Sequence, residues 1–89
     1  MTYSLLATKR FRKELSLLDN ATKKRVKEAL AGLIEDPFTS RPNADIKQLK
    51  NMTPKKYRLR VGDYRIFFYI GNDEIKLLKI ADRKTAYKR

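Results

Sequence analysis

Between residues 56 and 61 three cations, Lys56, Arg58 and Arg60, alternate with Tyr57, Leu59 and Val61. A period of two belongs to a strand, because successive side chains leave opposite faces. Gly62-Asp63 supplies a turn, and the alternation resumes with Tyr64, Ile66, Phe68 and Ile70 on one face and Arg65, Phe67 and Tyr69 on the other. Gly71-Asn72-Asp73 reads as a second hairpin turn, and residues 74 to 80 as a third strand. Two tight turns in succession dictate an antiparallel meander with one apolar face and one cationic, aromatic face. The apolar face must find a second layer to cover it.

The first half of the chain supplies that layer. Residues 2 to 7 are short and apolar and read as a strand. Thr8 can cap a helix, and Phe11, Leu15 and Leu18 follow on one helical face. Asp19 and Asn20 signal a second cap. Val26, Ala29, Leu30, Leu33 and Ile34 then form a clean amphipathic stripe that Pro37 stops. The connection between the helices is short, so they form an antiparallel hairpin. Residues 37 to 55 hold all three prolines and read as an irregular connection with little regular structure. The tail from Ala81 to Arg89 is basic and loosely held. The predicted fold is α+β, in the order β-α-α-β-β-β, with the helical hairpin packed on a mainly antiparallel sheet. Leu59, Phe68 and Leu78 are expected to pack on Phe11, Val26, Leu30 and Leu33. Eighty-nine residues make one domain, 1–89.

The charge is unevenly placed. Residues 1 to 36 carry eight Lys/Arg and five Asp/Glu, whereas residues 37 to 89 carry fourteen and five, out of a formal net charge of +12. The excess is threaded through the aromatic strands, a pattern that points to a polyanion, nucleic acid above all. The alternative is a charged protein from a hot or salty habitat, but such adaptation adds acids along with bases. There is no Cys and no His. Disulfides, thiol nucleophiles and zinc sites built on these ligands are excluded, as is the usual acid–base residue near neutral pH. The N-terminus has no signal-peptide pattern and no run is long enough to span a bilayer, so a cytoplasmic protein without a membrane partner is expected.

Chemistry is left to Arg, Lys and Tyr, since no phosphate-binding glycine loop, metal-ligating cluster or activated Ser/Thr is evident. These residues suffice for attack of an RNA 2′-hydroxyl on its own adjacent phosphate. The nucleophile belongs to the substrate, and the protein has only to position it and stabilise developing negative charge. Arg suits this because its planar fork takes two phosphate oxygens at once. Arg58 and Arg60 on an open face are as readily explained by simple solvation. Arg65, set between aromatics in mid-meander, favours function. Phe67 and Tyr69 either stack bases or cover a small second core, the core being the better reading. Lys23, Lys24, Arg25 and Lys27 read as the solvated side of the second helix.

The chain resembles the RelE/ParE superfamily of bacterial and archaeal toxins. The resemblance runs from Tyr3-Ser4-Leu5 into Thr8-Lys9-Arg10-Phe11-Arg12-Lys13-Glu14-Leu15, through Leu49-Lys50-Asn51-Met52 and Tyr57-Arg58-Leu59-Arg60-Val61-Gly62-Asp63-Tyr64-Arg65-Ile66, to Ile80-Ala81-Asp82-Arg83-Lys84-Thr85-Ala86-Tyr87. It implies the fold already derived. RelE-like members are ribonucleases that cut mRNA in the ribosomal A site, whereas ParE-like members inhibit DNA gyrase without that constellation.

Carried over by motif, the RelE-like site falls on Arg58, Arg60, Arg65, Arg83 and Tyr87, and the presence of all five favours the RNase branch. The resemblance implies that Arg58 and Arg60 grip phosphate and transition-state charge. Arg65 would serve the transition state, with protonation of the 5′-oxygen leaving group as a further role. Arg83 would support the phosphate, and Tyr87 would orient the 2′-hydroxyl or stack on a base. Lys50, Lys56, Lys84 and Lys88 would add RNA-binding charge. Both strand positions are arginine here, where relatives carry at least one lysine, and arginine stays charged. The general base is therefore open among Tyr87, Lys56, Lys50, Lys84, Lys88, water and the ribosomal RNA. The implied partners are a cognate acidic, RelB-like antitoxin, mRNA and the ribosome with its ribosomal RNA. No cofactor or metal is expected.

Overall fold

The computed structural model describes residues 2–39, 45–49 and 55–82. Its elements are β1 (Ser4–Ala7), α1 (Lys9–Ser16), α2 (Asn20–Glu35), β2 (Asp45–Gln48), β3 (Lys56–Val61), β4 (Tyr64–Ile70) and β5 (Glu74–Asp82). Two helices cover one face of a five-stranded sheet of order β1-β5-β4-β3-β2. All neighbours run antiparallel except β1 and β5, which are parallel. This is the expected α+β architecture.

Local chemistry sets the helix boundaries. Thr8 caps α1 by accepting from the Phe11 amide at 3.2 Å, and Asp19 caps α2 by accepting from the Thr22 amide at 2.9 Å. Each leaves one fewer amide unpaired in the first turn. Asp36 ends α2 in extended backbone (φ −153°, ψ 97°), immediately before Pro37. Phe11, Val26, Leu33, Leu59, Ile66, Phe68 and Ile75 are essentially sealed from solvent, and each such side chain contributes about 1.5–3 kcal/mol by leaving water. At one end of this core Tyr57 stacks on Phe68 at 5.6 Å. Phe38 packs edge-on between Tyr57 and Tyr3.

β5 runs on through Ala81 and Asp82, the start of the stretch read as a loose tail, because they pair with Arg65 and Tyr64. Two further features depart from the sequence reading. The proline-rich connection contains β2, a short edge strand whose Ile46 is buried opposite Leu59. Leu78 does not take the inward core position; that place belongs to Leu77, which is 2% exposed. The cause is a β-bulge. Phe68 pairs with Leu77 and Phe67 with Lys79, leaving Leu78 as the extra residue. A straight alternation through β5 would have to bury Lys76 with Leu78 and Ile80, or Lys79 with Ile75 and Leu77. The bulge shifts the phase once, so that Ile75, Leu77 and Ile80 all face the helices.

The segment around α1 secures that irregularity. β1 stops pairing at Ala7, opposite Leu77. Beyond it Thr8 donates its amide to the Leu77 carbonyl at 3.1 Å and its hydroxyl to the Leu78 carbonyl at 3.0 Å. The Glu14 carboxylate accepts the Ile80 amide at 2.7 Å. Backbone groups that would otherwise lack a strand partner are thereby satisfied. No helix among the described residues is long and apolar enough to cross a membrane.

Candidate nucleic-acid interface

The sheet face turned away from the helices is built from rungs of directly paired residues, which share a face. One rung joins Asp45, Arg60, Arg65 and Ala81 across β2, β3, β4 and β5. The next joins Lys47, Arg58, Phe67 and Lys79. A third joins Lys56, Tyr69 and Lys76. Successive rungs are two residues, about 6.8 Å, apart along the strands. Arg58, Arg60, Arg65 and Lys56, expected on one cationic face, are brought together there.

Burial separates these cations. Arg60 lies exposed, while Arg58 and Arg65 are half-buried. Arg58 reaches Asp45 by a long ion pair, 3.8 Å, and its side chain is 21% exposed. Its Nε is buried and has no hydrogen-bond partner among the described residues. A buried donor without a partner is costly, so its hydrogen bond goes to water, to another part of the chain or to a ligand. Ala81, the neighbour of Arg65 on β5, adds only a methyl group to that rung.

Aromatic rings hold two lysines on this face. The Lys79 ammonium sits 4.9 Å from the centre of the Phe67 ring, and that of Lys56 sits 5.6 Å from the centre of Tyr69. Phe67 and Tyr69 are half-buried under these lysines, neither a separate second core nor two open stacking platforms. Lys79 escaped the sequence reading, although the doubled Leu77-Leu78, where the alternation restarts, marks the bulge that places it. Arg25 is exposed on α2, as expected, and also reaches the sheet. Its guanidinium lies against Gly62 in the β3–β4 turn, 3.2 Å from where a side-chain carbon would begin. That turn adjoins the Arg60–Arg65 rung, so α2 brings a further cation to this end of the sheet.

Lys50, Arg83, Lys84, Tyr87 and Lys88, the other expected site residues, lie outside the described residues. The chain leaves β5 at Asp82, paired with Tyr64, one position past the Arg65–Ala81 pair. Taken together, the described face offers guanidiniums and ammoniums at regular spacing, with Asp45 at its β2 edge. It can hold an extended polyanion and concentrate positive charge on one of its phosphates.

Comparisons with known proteins agree with this architecture. The family model for the ParE toxin of type II toxin–antitoxin systems, parDE, matches residues 4–87. A chain of the archaeal RelE–RelB complex from Pyrococcus horikoshii superposes with a TM-score of 0.81 at 31% identity, covering 93% of this chain and 97% of that one. A chain of the RelB–RelE antitoxin–toxin complex from Methanococcus jannaschii gives 0.74 at 29% identity, with 92% and 94% covered. The YoeB dimer from Staphylococcus aureus shares the fold, with a TM-score of 0.72 at 15% identity and coverage of 89% and 94%. No curated protein matches by sequence. A match over residues 4–87 together with the archaeal RelE likeness shows that the chain belongs to the ParE toxin family of type II toxin–antitoxin systems, within the RelE/ParE superfamily.

Proposed function

We propose that this toxin is an endoribonuclease that cleaves mRNA on the translating ribosome in the cytoplasm, and so inhibits translation. One observation carries the reading: Arg60 stands directly opposite Arg65, with Arg58 one rung away, on an outward face. Three guanidiniums on adjacent rungs of one face suit a phosphate, whose oxygens can accept from several of them at once. The 31% identity to the archaeal RelE–RelB chain adds support.

In the reaction the substrate's 2′-hydroxyl oxygen attacks the adjacent phosphorus, and the bond from phosphorus to the 5′-oxygen breaks. The products are a 2′,3′-cyclic phosphate, or its hydrolysis product, and a 5′-hydroxyl. Arg58 and Arg60 hold the non-bridging oxygens, whose negative charge grows in the transition state. Arg65 donates to the departing 5′-oxygen. It stays charged, so water completes the protonation. Arg83, next in sequence after β5, supports the phosphate, and Tyr87 orients the 2′-hydroxyl or stacks on a base. The base that takes the 2′-proton is Lys56, Lys50, Tyr87, Lys84, Lys88, water or ribosomal RNA. Guanidiniums supply the charge that a metal would otherwise provide, so the step needs no metal. The partner is an acidic antitoxin, in keeping with relatives solved as RelE–RelB complexes. Its coexpression relieves growth arrest if the pairing is right.

The test is primer extension on an mRNA in a translation reaction, with wild type and Arg65→Ala, with and without ribosomes. Cuts that need both Arg65 and ribosomes are expected. Cuts without ribosomes would remove the ribosome from the mechanism, and full cleavage by Arg65→Ala would overturn the site. The matching family model carries the ParE name, which favours a second reading: a gyrase inhibitor without nuclease chemistry. Absence of cuts with arrest persisting in cells, and with gyrase supercoiling blocked, would establish it.

A further inference from the structure

The β5 bulge has an effect on the outward face as well as on the core. With Ile75, Leu77 and Ile80 all facing the helices, Lys76 and Lys79 both turn outward, as their partners Tyr69 and Phe67 do. Lys79 then lies over the Phe67 ring, 4.9 Å from its centre. Its rung carries Lys47 and Arg58 but no carboxylate. A flexible ammonium held by a ring loses less freedom when it meets an anion than one waving in water. Its compact charge suits one phosphate oxygen rather than a base edge. Lys79 lies one rung, about 6.8 Å, along the strands and one strand, about 4.8 Å, across from Arg65, room for the neighbouring phosphate of an extended strand.

We propose that Lys79, seated on Phe67, contacts the phosphate next to the one held by Arg60 and Arg65, so that single-stranded RNA crosses the sheet diagonally, from the Arg60–Arg65 pair toward Lys79 on β5. The inference rests on the RNA-binding reading given above. Phe67 acts as a positioning residue: it places the ammonium and touches no phosphate itself.

The experiment is fluorescence anisotropy with a labelled single-stranded 2′-O-methyl RNA oligonucleotide, which lacks the attacking hydroxyl, titrated over a range of salt concentrations. Each phosphate contact on a single strand adds about 0.7 to the slope of log affinity against log salt. Lys79→Ala should reduce the slope by about that amount, and Lys79→Arg should restore it. Phe67→Leu should keep the slope and weaken binding about two- to five-fold, the worth of an exposed cation–ring contact. Lys13→Ala, on the exposed side of α1, corrects for the loss of one positive charge. A Lys79→Ala slope change no larger than that of Lys13→Ala overturns the proposal. Failure of the wild type to bind overturns it together with the RNA reading. Wild-type protein that binds as described but never cuts mRNA overturns the nuclease reading alone.

Discussion

Arg60 and Arg65 face each other directly across the β3–β4 pair. Like charges at directly opposed positions destabilise a sheet, here by roughly 0.2–1 kcal/mol, the usual size of a cross-strand pair. Asp45 stands opposite Arg60 on its other side and attracts it by a similar amount, so Arg60→Gln should leave the thermal midpoint nearly unchanged. The same substitution should lower mRNA cleavage by about 100-fold or more, as loss of one transition-state donor does elsewhere. Thermal unfolding and primer extension on the same preparation check both halves. Loss of stability together with activity would show that Arg60 serves the fold.

Gly62 has φ of +59°, in the left-handed region, with the Arg25 guanidinium close by. A side chain there is strained by about 1–2 kcal/mol, and the contact adds less because an arginine tip can move. Gly62→Ala should lower stability by about that amount in urea unfolding. Adding Arg25→Ala should recover little. Substantial recovery would mean that the contact, not the backbone angle, sets the cost.

Glu14 gives its carboxylate to the Ile80 amide and, at 3.2 Å, to the exposed Arg10. The exposed ion pair is worth little; the bond to Ile80 contributes more. Glu14→Ala should cost about 1.5–3 kcal/mol, and Glu14→Gln, which keeps an acceptor, clearly less. Hydrogen exchange at the Ile80 amide should accelerate in Glu14→Ala ahead of the rest of β5. An unchanged Ile80 rate would show that β5 holds its bulge without α1.

Asp19 has a carboxyl held below its ordinary range by the Thr22 hydroxyl first and the Thr22 amide second. A lowered folded value means that the contribution is present at neutral pH and lost as pH falls through the folded pKa. The gap in thermal midpoint between wild type and Asp19→Ala should be constant near neutrality and close in acid. A gap that persists in strong acid would assign the effect to something other than the charged cap.

The strands β3 and β4 were legible to the residue, because a strict period of two and a Gly-Asp turn leave no other register. The helix caps Thr8 and Asp19 were legible for a similar reason: each has the right side chain just before an apolar stripe. β2 was not. Asp45-Ile46-Lys47-Gln48 has a single apolar residue and lies in a proline-rich stretch, so its pairing is set by the β3 edge rather than by its own sequence. The phase of β5 was hidden because either simple alternation sends one lysine inward, and only the doubled leucine hints at the resolution. That Arg58, Arg60 and Arg65 share the outward face was legible from alternation, whereas their proposed roles came from the family resemblance. Lys79 needed the bulge, and Arg25 needed the close approach that Gly62 permits.

The parallel pairing of β1 with β5 also bears on how the chain comes together. Thr8 and Leu78, which bond across that junction, are 70 positions apart. Among the described residues β1 neighbours no other strand, so it has no sheet to join until β5 is in place. Closing so long a loop is slow relative to the hairpins of β3, β4 and β5. The expected sequence of events is meander first and N-terminal strand last, with β1 and Thr8 docking as the final latch on a bulge already formed.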